Sequence, residues 1–371
     1  MNICLIGDGL ISLTLAKALI NNNVKVFMYC NNNKKIYGNN RTIGISSSNL
    51  NFFQKEIFKI KGKFFWEINR IKIYNQKNEK EKEKILDFSK KNKTLFSIIK
   101  NDDLYNLLNN SLKKNKNFKK IKINNSYFYK EIVNSEKYDL IINCEANNQI
   151  SKKFFFKKII KNYNSKAYVA ILNHSKIQNY TASQIFTKFG PIAFLPISKN
   201  KTSIVFSIKD YSFNKISNLS QKEFEKIILQ NNKKYVIKSI NNFECFKLKS
   251  KILRNYYQKN ILAFGEILHQ IHPLSGQGFN MSLRDIKVLL DIIKDRNSYG
   301  LPIDFSICKD FENKTKHLNY IFSSGNDFIY EYFNHDNYYL KMFSKKIFNY
   351  LDKNVFLKKL AIKYADQGIM V

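Results

Sequence analysis

The chain has 371 residues, of which 44% are hydrophobic, and a formal net charge of +34 at pH 7. This length and apolar content support a large core and allow two domains, or one domain with an insertion. The charge would favour nucleic acid as a partner, but the lysines are scattered throughout the chain. We therefore interpret them as a solvated basic surface and expect no nucleic-acid partner.

The cysteines and the apolar runs indicate the cellular compartment. Five cysteines are widely spaced without a C-x-x-C pair, which predicts reduced thiols. No apolar run reaches the length of a membrane span, and Asp8 interrupts the uncharged core that a signal peptide would need. We expect a cytoplasmic protein. Peripheral membrane contact stays open, because anionic headgroups attract a basic surface.

The N-terminus has the pattern of a dinucleotide-binding βαβ unit. Apolar runs predict a strand at residues 3–6, a helix at 13–20 and a second strand at 24–29. Between the first strand and the helix lies Gly7-Asp8-Gly9-Leu10-Ile11-Ser12, in which Gly7 would make the tight turn and Gly9 would admit a pyrophosphate. Ser12 stands at the third glycine position. The bare pattern also fits an ordinary turn, but its place between a strand and a helix favours a nucleotide.

The middle of the chain predicts both helices and strands. Strands are predicted at residues 66–74 and 84–88, a helix at 101–114 and a buried strand at 137–143. From 167 to 208, alternating apolar residues with turn signals predict antiparallel strands, which suit a sheet that covers a pocket.

A second strand-to-helix loop follows near residue 270. Residues 261–264 predict a short buried strand, and residues 281–293 predict an amphipathic helix. Gly276 and Gly278 let the backbone between them approach a ligand. The positive end of the following helix dipole favours negative charge at the same place.

These motifs carry a resemblance to a known family. Residues 265–285 read GEILHQIHPLSGQGFNMSLRD and resemble the G-D-A-A-H-x-x-H-P-x-x-G-Q-G-x-N-x-G-x-x-D motif of flavin-dependent aromatic hydroxylases, specifically the UbiH-type branch of ubiquinone biosynthesis. Residues 41–46 resemble that family's R-x-x-A-L-S stretch, and residues 186–196 its F-T-P-x-G-P-x-A-x-L-P strand pair. Asn326-Asp327-Phe328 resembles its T-D-x-L element. The resemblance covers almost the whole chain.

The resemblance implies an α/β fold with a Rossmann-like FAD-binding domain of the aromatic hydroxylase type. A mainly antiparallel β-sheet substrate domain would be inserted into it, and a helical region would follow. We expect the discontinuous FAD-binding domain at 1–60, 96–165 and 255–300, the substrate domain at 61–95 and 166–254, and a C-terminal helical cap at 301–371.

The implied activity is that of an NAD(P)H- and FAD-dependent aromatic monooxygenase. It would hydroxylate the ring of a polyprenylated phenol in ubiquinone biosynthesis, with O2 as co-substrate, through a flavin C4a-hydroperoxide. A quinone-biosynthesis complex is a further partner that the sequence leaves open. Four phenylalanines of the predicted sheet would suit a greasy substrate, although ordinary core packing explains each of them equally well: Phe186, Phe189, Phe194 and Phe206.

The resemblance also assigns the site residues. Pro273 would lie against the isoalloxazine ring, and the amides of Gly276, Gln277 and Gly278 would stabilise the anion of the reduced flavin. Glu266 would contact the ribityl chain, and Arg41 would pair with the flavin phosphates. The other residues expected to bind FAD are Gly7, Gly9, Ser12, Glu145, Gly265, Phe279 and Asn280. His269 and His272 have no third ligand at a supporting spacing, so no metal is expected.

Several positions depart from the family pattern. Cys30 ends the second strand, where an acidic residue would hold the adenosine ribose, and Asp102 stands where an arginine usually meets the flavin. Glu145 and Ala146 replace an Asp-Gly pair, and Glu266 replaces an aspartate. These changes predict a weaker hold on FAD. They also motivate an alternative, a catalytically degenerate member that serves as a structural subunit of a quinone-biosynthesis complex.

Overall fold

A computed structural model describes residues 1–31, 41–76, 78, 81–89, 93–123, 128–209, 221–232, 234–273, 276–334 and 354–368. Three sheets and nine helices lie in these ranges. The described architecture confirms the predicted α/β class with a second, mainly antiparallel sheet and C-terminal helices.

The first sheet grows from the N-terminal βαβ unit. Strand β1 (Asn2–Ile6) lies between β2 (Lys25–Asn31) and β9 (Leu140–Asn143) and is parallel to both. Ile3 to Ile6 are fully buried, as expected for a parallel strand covered on both faces. The other strands of this sheet are β8 (Phe118–Ile123), β15 (Tyr257–Gln258) and β16 (Ile261–Ala263). Their order is β15-β16-β9-β1-β2-β8.

The second sheet has eight strands among the described residues. Its order is β17-β14-β10-β13-β12-β11-β5-β6, and its pairs are antiparallel except β11 with β5. The strands are β5 (Arg70–Gln76), β6 (Lys82–Ser89), β10 (Lys158–His174), β11 (Thr181–Thr187), β12 (Gly190–Pro196), β13 (Lys201–Lys209), β14 (Ile237–Leu253) and β17 (His269–Gln270).

A small antiparallel sheet completes the strands. It contains β3 (Thr42–Ser46), β7 (Phe96–Lys100) and β4 (Trp66–Ile68), in that order. The single strand predicted over residues 66–74 was wrong, because the chain leaves this sheet at Asn69 and enters the eight-stranded sheet as β5. The Asn69 amide donates to Tyr180 O at 3.2 Å and marks the crossing point.

The helices pack on the sheets and on each other. They are α1 (Leu10–Asn21), α2 (Ser47–Phe52), α3 (Asn101–Lys113), α4 (Phe128–Asn134), α5 (Gln149–Phe154), α6 (Gln221–Asn231), α7 (Gly278–Ser298), α8 (Ser306–Asn334) and α9 (Val355–Gln367). Helix α1 begins at Leu10, earlier than predicted, because Gly9 is already its N-cap residue. In the described part of the chain, no helix is both long enough and apolar enough to cross a membrane.

Two buried clusters hold the layers together. The larger one joins the six-stranded sheet to α1, α3 and α7, and the smaller one lies between the eight-stranded sheet and α6. Phe194 and Phe206 are fully buried in the smaller cluster, and Phe206 lies against Phe224 of α6. These two phenylalanines are therefore core residues of the sheet.

Candidate functional site

The glycine loop after β1 lies at the carboxyl end of the parallel sheet. Gly7 has a φ of +101°, which suits a residue without Cβ, and its amide donates to Tyr29 O of β2 at 2.8 Å. Gly9 caps α1, and its carbonyl accepts from the Leu13 amide at 3.0 Å. Ser12 is buried in the first turn of α1 beside Cys144. The first amides of α1 thus point out of the sheet edge, as a phosphate site requires.

Asp8, between the two glycines, has a partner that the sequence did not predict. Its Oδ2 lies 2.9 Å from Nζ of Lys120 on β8. Cys30 at the end of β2 is buried, and its thiol points to Ile121 O at 3.6 Å. Burial raises the pKa of this thiol, so Cys30 contributes no negative charge near neutral pH.

Glu145 follows β9 within a compact polar network. Asn148 caps α5 through the Ser151 amide at 2.8 Å and donates to Asn143 Oδ1 at 2.7 Å. The Ser151 hydroxyl donates to Glu145 O at 2.7 Å. Asn148 therefore acts as a helix cap that fixes the Glu145 turn.

The late loop touches the early one at Gly265. This residue has a φ of +67°, and a Cβ built on it would lie 3.1 Å from Cγ2 of Ile11 in α1. Glu266 is exposed in the same 3-10 turn. The two sequence motifs, more than two hundred residues apart, therefore form one surface at the end of the parallel sheet.

Gly276 and Gly278 border open space at the start of α7. A Cβ built at either glycine meets no atom of the described residues within 4 Å. Pro273 O accepts from the Gly276 amide at 3.2 Å and holds the turn, and Gln277 is the N-cap residue of α7. Phe279 anchors the beginning of the helix in the main core.

Asn280 ties this loop to β3. It is 2% exposed, and its Oδ1 accepts from the Ser46 amide at 2.9 Å. Its Nδ2 donates to Gly44 O at 2.9 Å. Asn280, which was predicted to bind FAD, therefore makes structural contacts that hold the backbone of β3 beside the turn of Gly276 and Gly278.

A half-buried cation lies next to the same turn. Nη2 of Arg284 donates to Gln277 Oε1 at 3.0 Å, and the guanidinium lies 4.5 Å from the ring of Phe322. Burial lowers the pKa of Arg284 to about 10, so it stays charged at neutral pH. A side chain at Gly368, beyond α9, would collide with this guanidinium.

The two histidines of the loop lie in different environments. Nε2 of His269 lies 2.6 Å from Asp285 Oδ2, and Asn319 donates to the other carboxylate oxygen at 3.0 Å. His272 is fully buried, and burial lowers its pKa to about 3. In the described ranges, no three His, Cys, Asp or Glu side chains group closely enough to hold a metal ion.

Helix α8 holds the backbone at His272. Asn326 Nδ2 donates to His272 O at 3.3 Å, and the Asp327 carboxylate accepts from the Tyr163 hydroxyl. That hydroxyl also lies within hydrogen-bonding reach of the His272 backbone. Burial raises the pKa of Asp327, and Lys161 lies 3.9 Å from its Oδ2. The Asn326-Asp327 element therefore positions the peptide directly before Pro273.

Arg41 does not join the other predicted residues in a polar contact. Its guanidinium lies 5.0 Å from the ring of Phe246 in β14, and its carbonyl accepts from the Asn101 amide at 2.9 Å. Asp102, in the first turn of α3, follows directly. Arg41 thus lies between the three-stranded sheet and the eight-stranded sheet.

The arrangement fits a dinucleotide. The two helix N-termini at α1 and α7 supply amides for anionic groups, and the missing side chains at Gly276 and Gly278 leave room beside them. Gly7, Gly9 and Ser12 stay predicted contacts of the pyrophosphate, and Pro273, Gly276, Gln277 and Gly278 stay predicted contacts of the ring system.

Comparison with known proteins agrees with this geometry. A sequence model of squalene epoxidase matches residues 140–364, which is more than half of the chain. The chain belongs to the squalene epoxidase family. The family resemblance inferred from the motifs is thereby confirmed.

Relatives of this squalene epoxidase family member include the 3-demethoxyubiquinol 3-hydroxylase of Escherichia coli K12. The two are 28% identical over 186 residues, which are 49% of this chain and 47% of the relative. The chain thus spans about half the length of this curated relative.

Solved structures share the fold. The p-nitrophenol 4-monooxygenase PnpA of Pseudomonas putida DLL-E4 has a TM-score of 0.75 at 10% identity, over 100% of this chain and 98% of PnpA. HpxO of Klebsiella pneumoniae, solved with FAD and uric acid, has a TM-score of 0.73 at 10% identity, over 99% and 96% of the two chains. These likenesses confirm the aromatic hydroxylase fold.

Sequence reasoning missed several residues of the site. Asp285 lay in the quoted motif without an assigned role, and Arg284 beside it was not considered. Asp366 was also missed: its backbone O accepts from Ser46 Oγ at 2.8 Å, and its carboxylate accepts from the Ser48 amide at 2.9 Å. An arginine directly before a motif aspartate was a usable signal for Arg284, whereas no local pattern pointed to Asp366.

Proposed function

We propose that the protein is an FAD-dependent monooxygenase that hydroxylates the aromatic ring of a polyprenylated phenol in ubiquinone biosynthesis. The observation that carries the proposal is the start of α7, where Gly276 and Gly278 border open space and Asn280 is hydrogen-bonded to β3. The name of the Escherichia coli relative supports the substrate class.

The bound flavin would supply oxygen activation, with NAD(P)H as the electron donor and O2 as co-substrate. The chain's share is to bind and orient. The amides at Gly276, Gln277 and Gly278 would stabilise negative charge on the reduced ring, helped by the α7 dipole and the nearby Arg284 guanidinium. Pro273 would lie against the ring face.

Two carboxylates lie where they could contact different parts of the cofactor. Glu266 is exposed next to Gly265 and can reach a ribityl chain, directly or through water. Glu145 lies beside the Gly7 turn, because a Cβ at Gly7 would be 3.4 Å from Glu145 Cβ. Arg41 would approach the flavin phosphates only by leaving the Phe246 ring, so we propose a minor role for it.

A polyprenylated substrate belongs to a membrane, so the proposal includes peripheral contact of a cytoplasmic protein with a membrane or a quinone-biosynthesis complex. The net charge of +34 supports attraction to anionic headgroups. The enzymatic proposal is preferred over a degenerate structural subunit, because the relative carries the name of an enzyme.

The test is reconstitution followed by complementation. The purified chain, incubated with FAD and desalted, should retain the visible absorbance of a flavoprotein. It should then restore quinone synthesis in one of a set of strains that each lack a single ring hydroxylase, with the intermediates identified by mass. A protein that retains FAD but rescues no strain would contradict the substrate class, and one that retains no FAD would contradict the enzyme.

A further inference from the structure

The end of β2 lacks the group that usually recognises a dinucleotide at this place. In a βαβ dinucleotide unit, an acidic residue at the end of the second strand hydrogen-bonds the ribose hydroxyls of the adenosine. Here the strand ends in Cys30 and Asn31. The Cys30 thiol is 5% exposed, points to β8 and is at best a weak donor. It cannot take the place of a carboxylate.

A carboxylate reaches the same edge from the neighbouring loop. Asp8 follows β1, yet its Oδ2 lies 2.9 Å from Nζ of Lys120 on β8, and β2 lies between those two strands. Lys120 is in register with Met28, two residues before Cys30. The Asp8–Lys120 pair therefore spans the carboxyl end of β2, where the adenosine ribose would lie.

The pair keeps the carboxylate available and compatible with phosphate. The Asp8 side chain is 39% exposed, and its Oδ1 makes no hydrogen bond to the described residues. Lys120 is 26% exposed and neutralises Asp8. Burial is the largest single influence and lowers the pKa of Lys120, but the hydrogen bond to Asp8 and the charge of Asp8, with smaller contributions from Tyr105 and Cys30, together raise it, so Lys120 remains charged. Without this cation, a carboxylate beside a pyrophosphate would repel it.

We propose that Asp8, held by Lys120, is the residue of this chain that binds the adenosine ribose of FAD, in place of an acid at the end of β2. The inference rests on the proposed function only in that it requires FAD to bind. It makes the loop between Gly7 and Gly9 a site for both the pyrophosphate and the ribose.

The experiment compares FAD with FMN, which has the isoalloxazine and one phosphate but no adenosine. Binding of each flavin to the apoprotein is measured by flavin fluorescence. In Asp8→Asn, we expect the Kd for FAD to rise about tenfold, as for the loss of a charged hydrogen-bond acceptor, and the Kd for FMN to stay unchanged. Lys120→Met should also raise the Kd for FAD. The Asp8→Asn/Lys120→Met double variant should bind FAD little more weakly than either single variant.

The matched control is Asp139→Asn. Asp139 lies at the amino end of the same sheet, directly before β9, where its Oδ2 accepts from the Asn2 amide of β1 at 2.7 Å. This variant removes the same charge and should leave both affinities unchanged. The FMN measurement also serves as an internal check that Asp8→Asn is folded.

Two results would overturn the inference while FAD binding stands. One is an unchanged FAD affinity in Asp8→Asn, and the other is an equal loss of FAD and FMN, which would indicate a general disturbance of the loop. A wild-type protein that binds no FAD would overturn the proposed function and this inference together, so the two failures are distinguishable.

Discussion

The Tyr163 hydroxyl donates to the Asp327 carboxylate, and the ring of the same tyrosine stands edge-on to His272, with 4.8 Å between ring centroids. One side chain of β10 thereby joins α8 to the loop that precedes Pro273. Tyr330 of α8 encloses the imidazole from another side at 4.0 Å. The position of the loop thus depends on the helical region as well as on the parallel sheet.

Replacing Tyr163 with Phe should keep the ring packing and remove the hydroxyl. Because the buried Asp327 carboxylate then loses a donor, we expect the free energy of unfolding to fall by about 2 kcal/mol. Urea denaturation measures this change. Tyr299→Phe, at an exposed position 77% open to solvent, is the control and should be neutral. Equal losses of stability in both variants would contradict a stabilising role of the bond between Tyr163 and Asp327.

His272 should make stability depend on pH. Its folded pKa, about 3, lies below the ordinary value of 6.5, so the unfolded chain takes up the proton first. The contribution to stability is therefore complete above pH 6.5 and is lost as the pH falls towards 3.

Relative to His272→Gln, the wild type should lose roughly 2 kcal/mol between about pH 6.5 and 5. Unfolding curves at several pH values measure the difference. The control His317→Gln, on the exposed side of α8, should keep the wild-type slope. A slope that is the same in His272→Gln and the wild type would rule the assignment out.

Asn280→Ala should be strongly destabilising. The substitution leaves the buried Ser46 amide and Gly44 carbonyl without their side-chain partner, which costs about 3 kcal/mol. Denaturant unfolding measures the loss, and FAD affinity should fall with it because β3 is released from the turn. Asn297→Ala, at an exposed position on the same helix, should stay within about 0.5 kcal/mol of the wild type.

Gly265→Ala, compared with a second glycine variant, should separate the cost of the backbone conformation from the cost of crowding against Ile11. The new Cβ would meet a φ of +67° and the Ile11 side chain at 3.1 Å, so we expect a loss of about 2 kcal/mol or more. Gly300→Ala is the matched control, because Gly300 has a φ of +63° and no atom of the described residues within 4 Å of its Cβ position.

Thermal or urea unfolding of both glycine variants gives the comparison. Gly300→Ala reports the backbone cost alone, and the excess in Gly265→Ala reports contact between the two motifs. Adding Ile11→Ala to Gly265→Ala should recover that excess. If the two glycine variants lose the same stability, the contact of Gly265 with Ile11 contributes nothing.

Local patterns were sufficient for the elements around the site. The continuous apolar run at 3–6 predicted a strand, and the glycines after it marked the turn into α1. The same reasoning located α7 and the strand before it. At Asn69, by contrast, the chain changes sheets, and the apolar positions shift from Trp66 and Ile68 to Ile71 and Ile73, but the prediction joined β4 and β5 into one strand.

Side-chain partners across the fold could not be predicted in the same way. Asp8 and Lys120 are separated by 112 positions, and Tyr163 and Asp327 by 164. Their meeting depends on strand order and helix docking, which hydrophobic periodicity does not encode. Likewise, the apolar character of Phe194 was evident, but the side of the sheet that it faces was not.

The contact of Asp366 with Ser46 and Ser48 has a consequence for biosynthesis. The βαβ unit is translated first and can begin to fold on the ribosome. The corner between β3 and α2 cannot make these two bonds until residue 366 has been translated, 318 positions after Ser48. Any early capture of a cofactor by the nascent chain would therefore involve the pyrophosphate loop, while the ring-facing half matures only near the end of synthesis.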